Sequence, residues 1–331
     1  MAAPRRSKPR SSGPLRRLLY SVVPLVVLIG GSEVALRLAD WPKATNGSFA
    51  HNQIYWVSDA NLKSASWSHK EVGTTFSVST DANGLRAPLH PVEKPSGAFR
   101  VMTLGCSTTF GWGVNDDESY PARLEATLKE EGKRVEVINA GQPGYSSFQG
   151  LWLWEKALET YQPDLVVFGY LVQDARKVAY TDKSQAILQH NADYLKANLL
   201  YRFRVFLAAR EVVDRWRIEA KEQGEVNRVP PEDYVENIRT FKKKVEAIGG
   251  SMMLFGFPLE RTGYTEEHRE LLHSAAEVLA LPIYDPQKEI EAASASQTLF
   301  FPMDRGHANA AGCDMIGHGM ARFLQEQKIV P

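Results

Sequence analysis

Short apolar segments alternate with amphipathic segments of helical spacing from residue 99 onwards, and this alternation most constrains the fold. The apolar segments have the length of strands and carry apolar residues throughout, which is typical of strands buried on both faces of a parallel sheet. Five such strands can be counted, at residues 99–104, 135–140, 164–171, 251–258 and 281–286. The sequence therefore predicts a parallel five-stranded sheet with helices on both faces, a three-layer α/β/α domain over residues 99–331.

The N-terminus departs from this pattern in charge and hydropathy. Residues 1–17 are basic, rich in Pro and Ser and free of acids, which predicts a disordered cytoplasmic tail. Residues 18–38 are apolar over about the length of a transmembrane helix, and Glu33 and Arg37 lie four apart near its far end, where they can pair. The preceding arginines predict that the chain after this helix lies outside the cytoplasm.

Two alternatives to this single-pass signal anchor stay open. A cleaved signal peptide would also carry a basic and then an apolar segment, but no clean A-x-A site follows the apolar run. A buried helix of a soluble protein is the other alternative. We expect an anchor in the cytoplasmic membrane, with the α/β domain on its periplasmic or extracytoplasmic side.

Two further regions flank or interrupt the α/β pattern. Residues 39–98 are polar and broken by turn residues, and residues 75–80 alternate as in a half-buried strand, so a stalk and an N-terminal β extension are predicted. Residues 175–229 form an insertion with a long helical stretch. This helix either packs on the domain or, with its Arg-rich polar face, serves as a lid or a membrane-facing arm.

Composition argues against several classes of function. Lys and Arg together equal Asp and Glu at 39 each, so the net charge gives no indication of a nucleic-acid partner. Cys106 and Cys313 are too few for a disulfide framework and are either two buried thiols or a single bridge. No group of His, Asp and Glu has the spacing of metal ligands, so neither a metal nor another cofactor is predicted, and a metal enzyme is the weakest hypothesis.

The stretch TLGCSTTFGWG at residues 103–113 places Ser107 directly after the first strand of the domain. It lacks the Lys of a P-loop and the spacing of a G-x-S-x-G elbow. A serine nucleophile needs a base and a group that orients the base. Among the eight histidines only His307 has an Asp three residues before it, Asp304. Since both segments belong to the carboxyl edge of the sheet, we expect Ser107, Asp304 and His307 to meet there.

Two more strand ends supply candidate donors for an oxyanion hole. Residues 138–147 contain the glycine-rich segment NAGQPG, which permits exposed backbone N–H groups. Residues 166–177 bring Gln173 and Asp174 to the same edge. Each segment alone could be an ordinary turn between a strand and a helix, and it is their coincidence with Ser107 and His307 that predicts a site.

Four segments in this order, GCSTTFGWG, NAGQPG, YLVQD and DRGH, resemble the motifs of the SGNH/GDSL hydrolase superfamily: G-D-S-x-T-x-G, N-x-G-x-x-G, G-x-N-D and D-x-x-H. The resemblance covers residues 83–325 apart from the insertion. It includes NGLR at residues 83–86, a lead-in typical of membrane-anchored bacterial envelope members. It implies a flavodoxin-like α/β/α fold and acyl-ester hydrolysis or transfer.

The resemblance also implies roles for individual residues. Ser107 would be the nucleophile, His307 the base and Asp304 the group that orients it. The oxyanion-hole donors would be the backbone N–H groups of Ser107 and Gly144 and the side chain of Gln173. Two departures stand out: Cys106 replaces the motif's Asp, and Gln173 replaces its Asn with a side chain one methylene longer.

The functional expectation is a serine-dependent acyl-ester hydrolase that acts outside the cytoplasmic membrane. The partners expected are an acyl-ester substrate, including O-acylated carbohydrate of the envelope, and the membrane itself. One alternative is an O-acyltransferase on envelope polysaccharide. The other is a catalytically degenerate carbohydrate-binding or scaffold protein, because a misdirected Gln173 would leave the oxyanion hole incomplete.

Overall fold

The computed structural model describes residues 14–39, 41, 54–186, 203–219, 226–261, 263–302, 304 and 306–331. These belong to two compact units. The helix unit comprises the described parts of Met1–Gln53 and Gln185–Lys221, and the sheet unit those of Ile54–Ser184 and Glu222–Pro331. Most of the predicted basic tail, most of the stalk before residue 54, and residues 187–202 and 220–225 of the predicted insertion lie outside the described residues.

A five-stranded sheet with all strands parallel forms the centre of the sheet unit, as the apolar segments predict. The strands are β3 (Phe99–Gly105), β4 (Val135–Asn139), β5 (Leu165–Gly169), β8 (Ser251–Phe255) and β9 (Ile283–Tyr284). Their spatial order is β4-β3-β5-β8-β9. The order reverses beside β3, which places a topological switch point where β3 ends.

Helices cover both faces of this sheet, so the predicted three-layer α/β/α fold is confirmed. The helices of the sheet unit are α2 (Ser107–Phe110), α3 (Tyr120–Glu130), α4 (Ser147–Lys156), α6 (Pro231–Ala247), α7 (Glu266–Leu279), α8 (Gln287–Ser294) and α9 (Ala310–Glu326). Successive residues of β3 face the two layers: Val101 belongs to the core shared with α3 and α9, whereas Met102 belongs to the core shared with α4 and α6.

An antiparallel hairpin precedes the sheet and forms the N-terminal β extension. Its strands are β1 (Ala65–His69) and β2 (Thr74–Val78), and only the second of them has a predicted counterpart, at residues 75–80. Arg86 joins this extension to the domain because its buried guanidinium donates to the carbonyls of Phe110 and Val114, 2.6 Å away in each case. The extension is therefore tied to the segment that follows Ser107.

The two ends of the predicted insertion lie in the sheet unit. There β6 (Lys177–Val178) pairs antiparallel with β7 (Val226–Asn227), so the chain leaves and re-enters the unit through a two-stranded base. This pairing fixes Arg228, the residue after β7, beside the loops at the carboxyl edge of the main sheet.

The helix unit contains α1 (Pro14–Leu38) and α5 (Arg204–Glu219). Residues Tyr20–Leu38 of α1 are long and apolar enough to span a membrane, with a mean hydropathy of 1.7. Arg37 Nε donates to Glu33 Oε1 over 2.7 Å, the pairing that their spacing of four predicts. Glu33 Oε2 also accepts the backbone N–H of Val205, 2.9 Å away, which joins the end of α1 to the start of α5.

Both cysteines are buried free thiols. Burial raises the pKa of Cys106, despite lowering contacts with Thr108 and Ser107, and raises that of Cys313 to about 12. The single bridge left open by the sequence is absent, and neither thiol is ionised near neutral pH.

Candidate active site

Ser107 stands at a tight corner between β3 and α2. Cys106 is the extended residue before the helix, and Gly111 closes the helix in a left-handed conformation with φ 84°. The corner needs glycine at position 105, because a Cβ there would lie 2.0 Å from Thr109 Oγ1. Ser107 is thus the first residue of α2, so its backbone N–H has no acceptor within the helix. Its relative exposure is 8%.

A hydrogen-bonded loop between α8 and α9 presents His307 and Asp304. The N–H of Phe301 donates to the carbonyl of His307 over 3.1 Å, and the N–H of Asp304 to that of Phe301 over 3.1 Å. Asn309 caps α9 by accepting the N–H of Gly312 at 3.0 Å. Two local hydrogen bonds and a helix cap therefore hold both side chains at the carboxyl edge.

The predicted trio comes together in this structure. His307 Nε2 lies 2.8 Å from Ser107 Oγ, and His307 Nδ1 contacts Asp304 Oδ2 at hydrogen-bonding distance. Burial alone would raise the pKa of Asp304, but the hydrogen bond and charge of His307, the charge of His69 and the N–H of Gly306 lower it overall. An ionised Asp304 requires the proton on Nδ1, which leaves Nε2 to accept the Ser107 hydroxyl proton.

The loop after β4 packs directly against the Ser107 corner. The N–H of Gln142 donates to the carbonyl of Gly105 over 3.1 Å, and a Cβ at Gly141 would lie 2.3 Å from the Phe110 nitrogen. Gly144 has φ +79°, and nothing lies within 4 Å of the position that its Cβ would occupy. Its backbone therefore borders open space at the carboxyl edge.

Arg228 connects two of the predicted oxyanion-hole residues. Its Nη1 donates to the carbonyl of Gly144 and, over 3.3 Å, to Oε1 of Gln173. The guanidinium also donates from Nε to Asp182 Oδ1 over 2.7 Å and from Nη2 to Gln149 Oε1 over 2.6 Å, and these bonds fix its position. Since a guanidinium only donates hydrogen bonds, the side-chain oxygen of Gln173 faces Arg228, and the amide nitrogen Nε2 faces away from it.

Asp174 is fully buried beside the start of α4. Its two carboxylate oxygens accept the N–H of Ser147 at 3.0 and 3.1 Å, and Asn237 donates to the Ser147 hydroxyl over 2.8 Å. Burial raises the pKa of Asp174 to about 7, against the lowering effect of its bonds to Ser147. This group ties the loop after β5 to the loop after β4.

Sequence reasoning missed His69, although the structure brings it into the same site. Its Nε2 lies 3.0 Å from Asp304 Oδ2. His69, Asp304 and His307 thus form a compact group of the residue types that bind metals, although their sequence spacing predicts none. Within this group His307 Nδ1 is in direct hydrogen-bond contact with Asp304 Oδ2, the arrangement in which a carboxylate orients a histidine base.

The chain matches no protein-family model and no curated protein. Similar solved structures include a protein described as lipolytic and of the G-D-S-L family from Desulfitobacterium hafniense, with 18% identity and a TM-score of 0.45 over 68% of this chain and 99% of the other. A lipase/acylhydrolase from Enterococcus faecalis has 16% identity and a TM-score of 0.46 over 69% and 96%. An acetyl-xylooligosaccharide esterase variant from Geobacillus Stearmophilus has 13% identity and a TM-score of 0.47 over 70% and 95%.

Proposed function

We propose that this chain is a serine-dependent acyl-ester hydrolase with Ser107 as nucleophile, His307 as base and Asp304 as the group that orients His307. The observation that carries the proposal is the continuous chain of contacts from Ser107 Oγ through both ring nitrogens of His307 to Asp304. Oγ attacks the ester carbonyl while Nε2 takes its proton, and the imidazolium returns that proton to the leaving alkoxide. Water then attacks the acyl-serine while His307 takes its proton; the acyl–Oγ bond breaks, His307 returns the proton to Ser107 Oγ, and the carboxylic acid is released.

The negative charge of each tetrahedral intermediate requires preorganised donors. We assign these donors to the backbone N–H of Ser107 at the start of α2, the backbone N–H of Gly144 and the side-chain amide N–H of Gln173. Arg228 donates to the backbone oxygen of Gly144 and to the side-chain oxygen of Gln173, and these two hydrogen bonds support the last two assignments. The longer side chain of Gln173, relative to the Asn of the motif, is thus anchored at its carbonyl oxygen.

The test is covalent labelling with a fluorophosphonate, which phosphonylates serines activated by a neighbouring base. Full-length protein in detergent is expected to carry one adduct, mapped by peptide mass spectrometry to Ser107, whereas Ser107→Ala carries none. Ser251→Ala is a matched control, because Ser251 begins β8 and so lies at the opposite edge of the sheet. An unlabelled wild type, inert towards p-nitrophenyl acetate and longer esters, would replace the hydrolase proposal with the degenerate carbohydrate-binding alternative.

The place of action is proposed to be the outer face of the cytoplasmic membrane. This rests on the apolar segment Tyr20–Leu38 and on the basic residues before it. O-acyl groups on envelope carbohydrate are the substrates that fit this location. Alkaline phosphatase fused after Pro331 is expected to be active, and a reporter that needs the cytoplasm inactive. The reverse pattern would contradict the anchor orientation while leaving the chemistry of Ser107 untouched.

A further inference from the structure

His69, at the end of β1, is a buried imidazole that faces Asp304. Its relative exposure is 2%, and its Nε2 lies 3.0 Å from Asp304 Oδ2, the same oxygen that contacts His307 Nδ1. The described part of the chain offers no well-aligned hydrogen bond to either ring nitrogen, so the approach to Asp304 is a bent or ionic contact. Burying an imidazole costs desolvation, which a polar contact of this kind offsets.

The surroundings of His69 hold the ring in place. It packs edge-on against Phe301, with ring centroids 5.3 Å apart, and against Trp112 at 6.2 Å. The backbone at Gly113 also comes close, because a Cβ there would lie 2.8 Å from His69 Nδ1. The His69 and His307 rings are perpendicular, with centroids 5.8 Å apart. The hairpin therefore brings a second imidazole to Asp304 in one defined orientation.

We propose that His69 is a positioning residue that acts on His307 through Asp304. This inference rests on the proposed hydrolase function. A donor at Oδ2 fixes the rotation of the carboxylate and draws its negative charge away from His307. The second effect makes His307 a weaker base than it would be beside an Asp304 that it did not share, and the first keeps the carboxylate oriented towards His307. The N-terminal β extension is thus an integral part of the site.

The sign of the effect is the same for either charge state of His69. A neutral His69 with its proton on Nε2 brings the positive end of that N–H to 3.0 Å from Oδ2, which weakens the hold of Asp304 on the His307 proton, and a protonated His69 adds electrostatic repulsion. Other titratable groups near this pair are Glu71, whose Oε2 is 3.8 Å from His69 Nε2 but 76% exposed, and Tyr264, which interacts electrostatically with Asp304. Removing His69 is therefore expected to move the acid limb of the pH–rate profile to higher pH.

The experiment measures the pH profile of kcat/KM for p-nitrophenyl acetate with full-length protein. His69→Phe, which keeps an aromatic ring among aromatic neighbours, is expected to move the acid limb up by about 0.5–1 pH unit. It should also lower kcat/KM on the plateau by about 10–100-fold, the range for groups that orient a metal-bound histidine. His69→Gln retains an N–H donor and is expected to restore most of both.

His90→Gln is the matched control, because His90 Nε2 is 2.5 Å from Glu125 Oε2 in a second histidine–carboxylate pair, which lies apart from Ser107. It is expected to keep the wild-type acid limb. A His69→Phe enzyme with the wild-type acid limb and kcat/KM within about twofold would overturn the inference. If fluorophosphonate does not label Ser107 in the wild-type protein, that result overturns the hydrolase proposal instead.

A measurement on the wild-type chain covers the case in which His69→Phe does not fold. Nitrogen-15 NMR of the histidine rings reports which ring nitrogen of His69 carries the proton, and the His69→Gln spectrum identifies its signal by loss. The inference requires a proton on Nε2 at every pH at which Asp304 is ionised. A His69 with Nε2 unprotonated under those conditions would overturn it.

Discussion

Replacing Asp304 with alanine is expected to lower kcat for p-nitrophenyl acetate by about 10⁴-fold, with little change in KM. Without the carboxylate, His307 Nδ1 loses its acceptor, so the ring is free to rotate and to adopt the tautomer that cannot take the Ser107 proton. The imidazolium that forms during attack also loses its counter-charge. KM is spared because Asp304 lies behind His307, away from Ser107 Oγ.

Asp304→Asn separates orientation from charge. The amide can turn its oxygen towards both histidines and keep His307 in the productive tautomer, but it supplies no negative charge. A loss clearly smaller than that of Asp304→Ala assigns the difference to orientation. Asp314→Ala is the control, because Asp314 Oδ2 also lies near a histidine, 3.4 Å from His318 Nδ1, on α9. An Asp304→Ala enzyme that kept more than a tenth of its kcat would contradict the proposed role.

The residues that sequence alone identifies lie beside the ends of regular elements. Ser107 follows a strand and begins a helix, and Asp304 and His307 share one short loop before the last helix. In a parallel sheet the chain direction fixes the edge at which such segments emerge, so their meeting follows from the alternation of strands and helices. The predicted strand count and the two-face burial follow from the same local pattern.

The sequence did not predict that His69 and Arg228 belong to the site. Each belongs to a short antiparallel pairing, His69 to the β1–β2 hairpin and Arg228 to the segment after β7, and neither lies in a motif. Their partners, Asp304 for one and Gly144 and Gln173 for the other, are distant in sequence. A single sequence carries no signal for such contacts, because a buried histidine or arginine looks locally like a solvated one.

Gln173 replaces the Asn of the G-x-N-D motif, and it is a residue that we propose to act on the reacting atoms. With the longer side chain, the amide of Gln173 could face the reacting atoms with either its oxygen or its nitrogen, and only the nitrogen is a donor. Arg228 resolves this choice, since its Nη1, 3.3 Å from Gln173 Oε1, can pair only with the oxygen. The same nitrogen donates to the carbonyl of Gly144, so one guanidinium sets both the loop and the side chain.

Gln173→Ala is accordingly expected to lower kcat by about 10²–10³-fold, the usual cost of one oxyanion-hole donor. Gln173→Glu is the sharper variant, because it has the same reach and keeps a partner for Arg228 but has no N–H to donate. If Gln173 acts as a donor, the Glu variant must be at least as slow as the Ala variant. If Gln173 merely anchors Arg228, the Glu variant should retain most of the wild-type kcat.

Arg228→Met extends the same test to the anchor. It removes the donor to Gly144 and Gln173 together and is expected to reduce kcat without preventing fluorophosphonate labelling of Ser107, which depends on His307. Gln297→Ala, at an exposed position after α8, is the control and should behave as wild type. Gln173→Ala with kcat within about threefold of wild type would exclude the side chain from the oxyanion hole. Stabilisation of the intermediate would then rest on the two backbone donors alone.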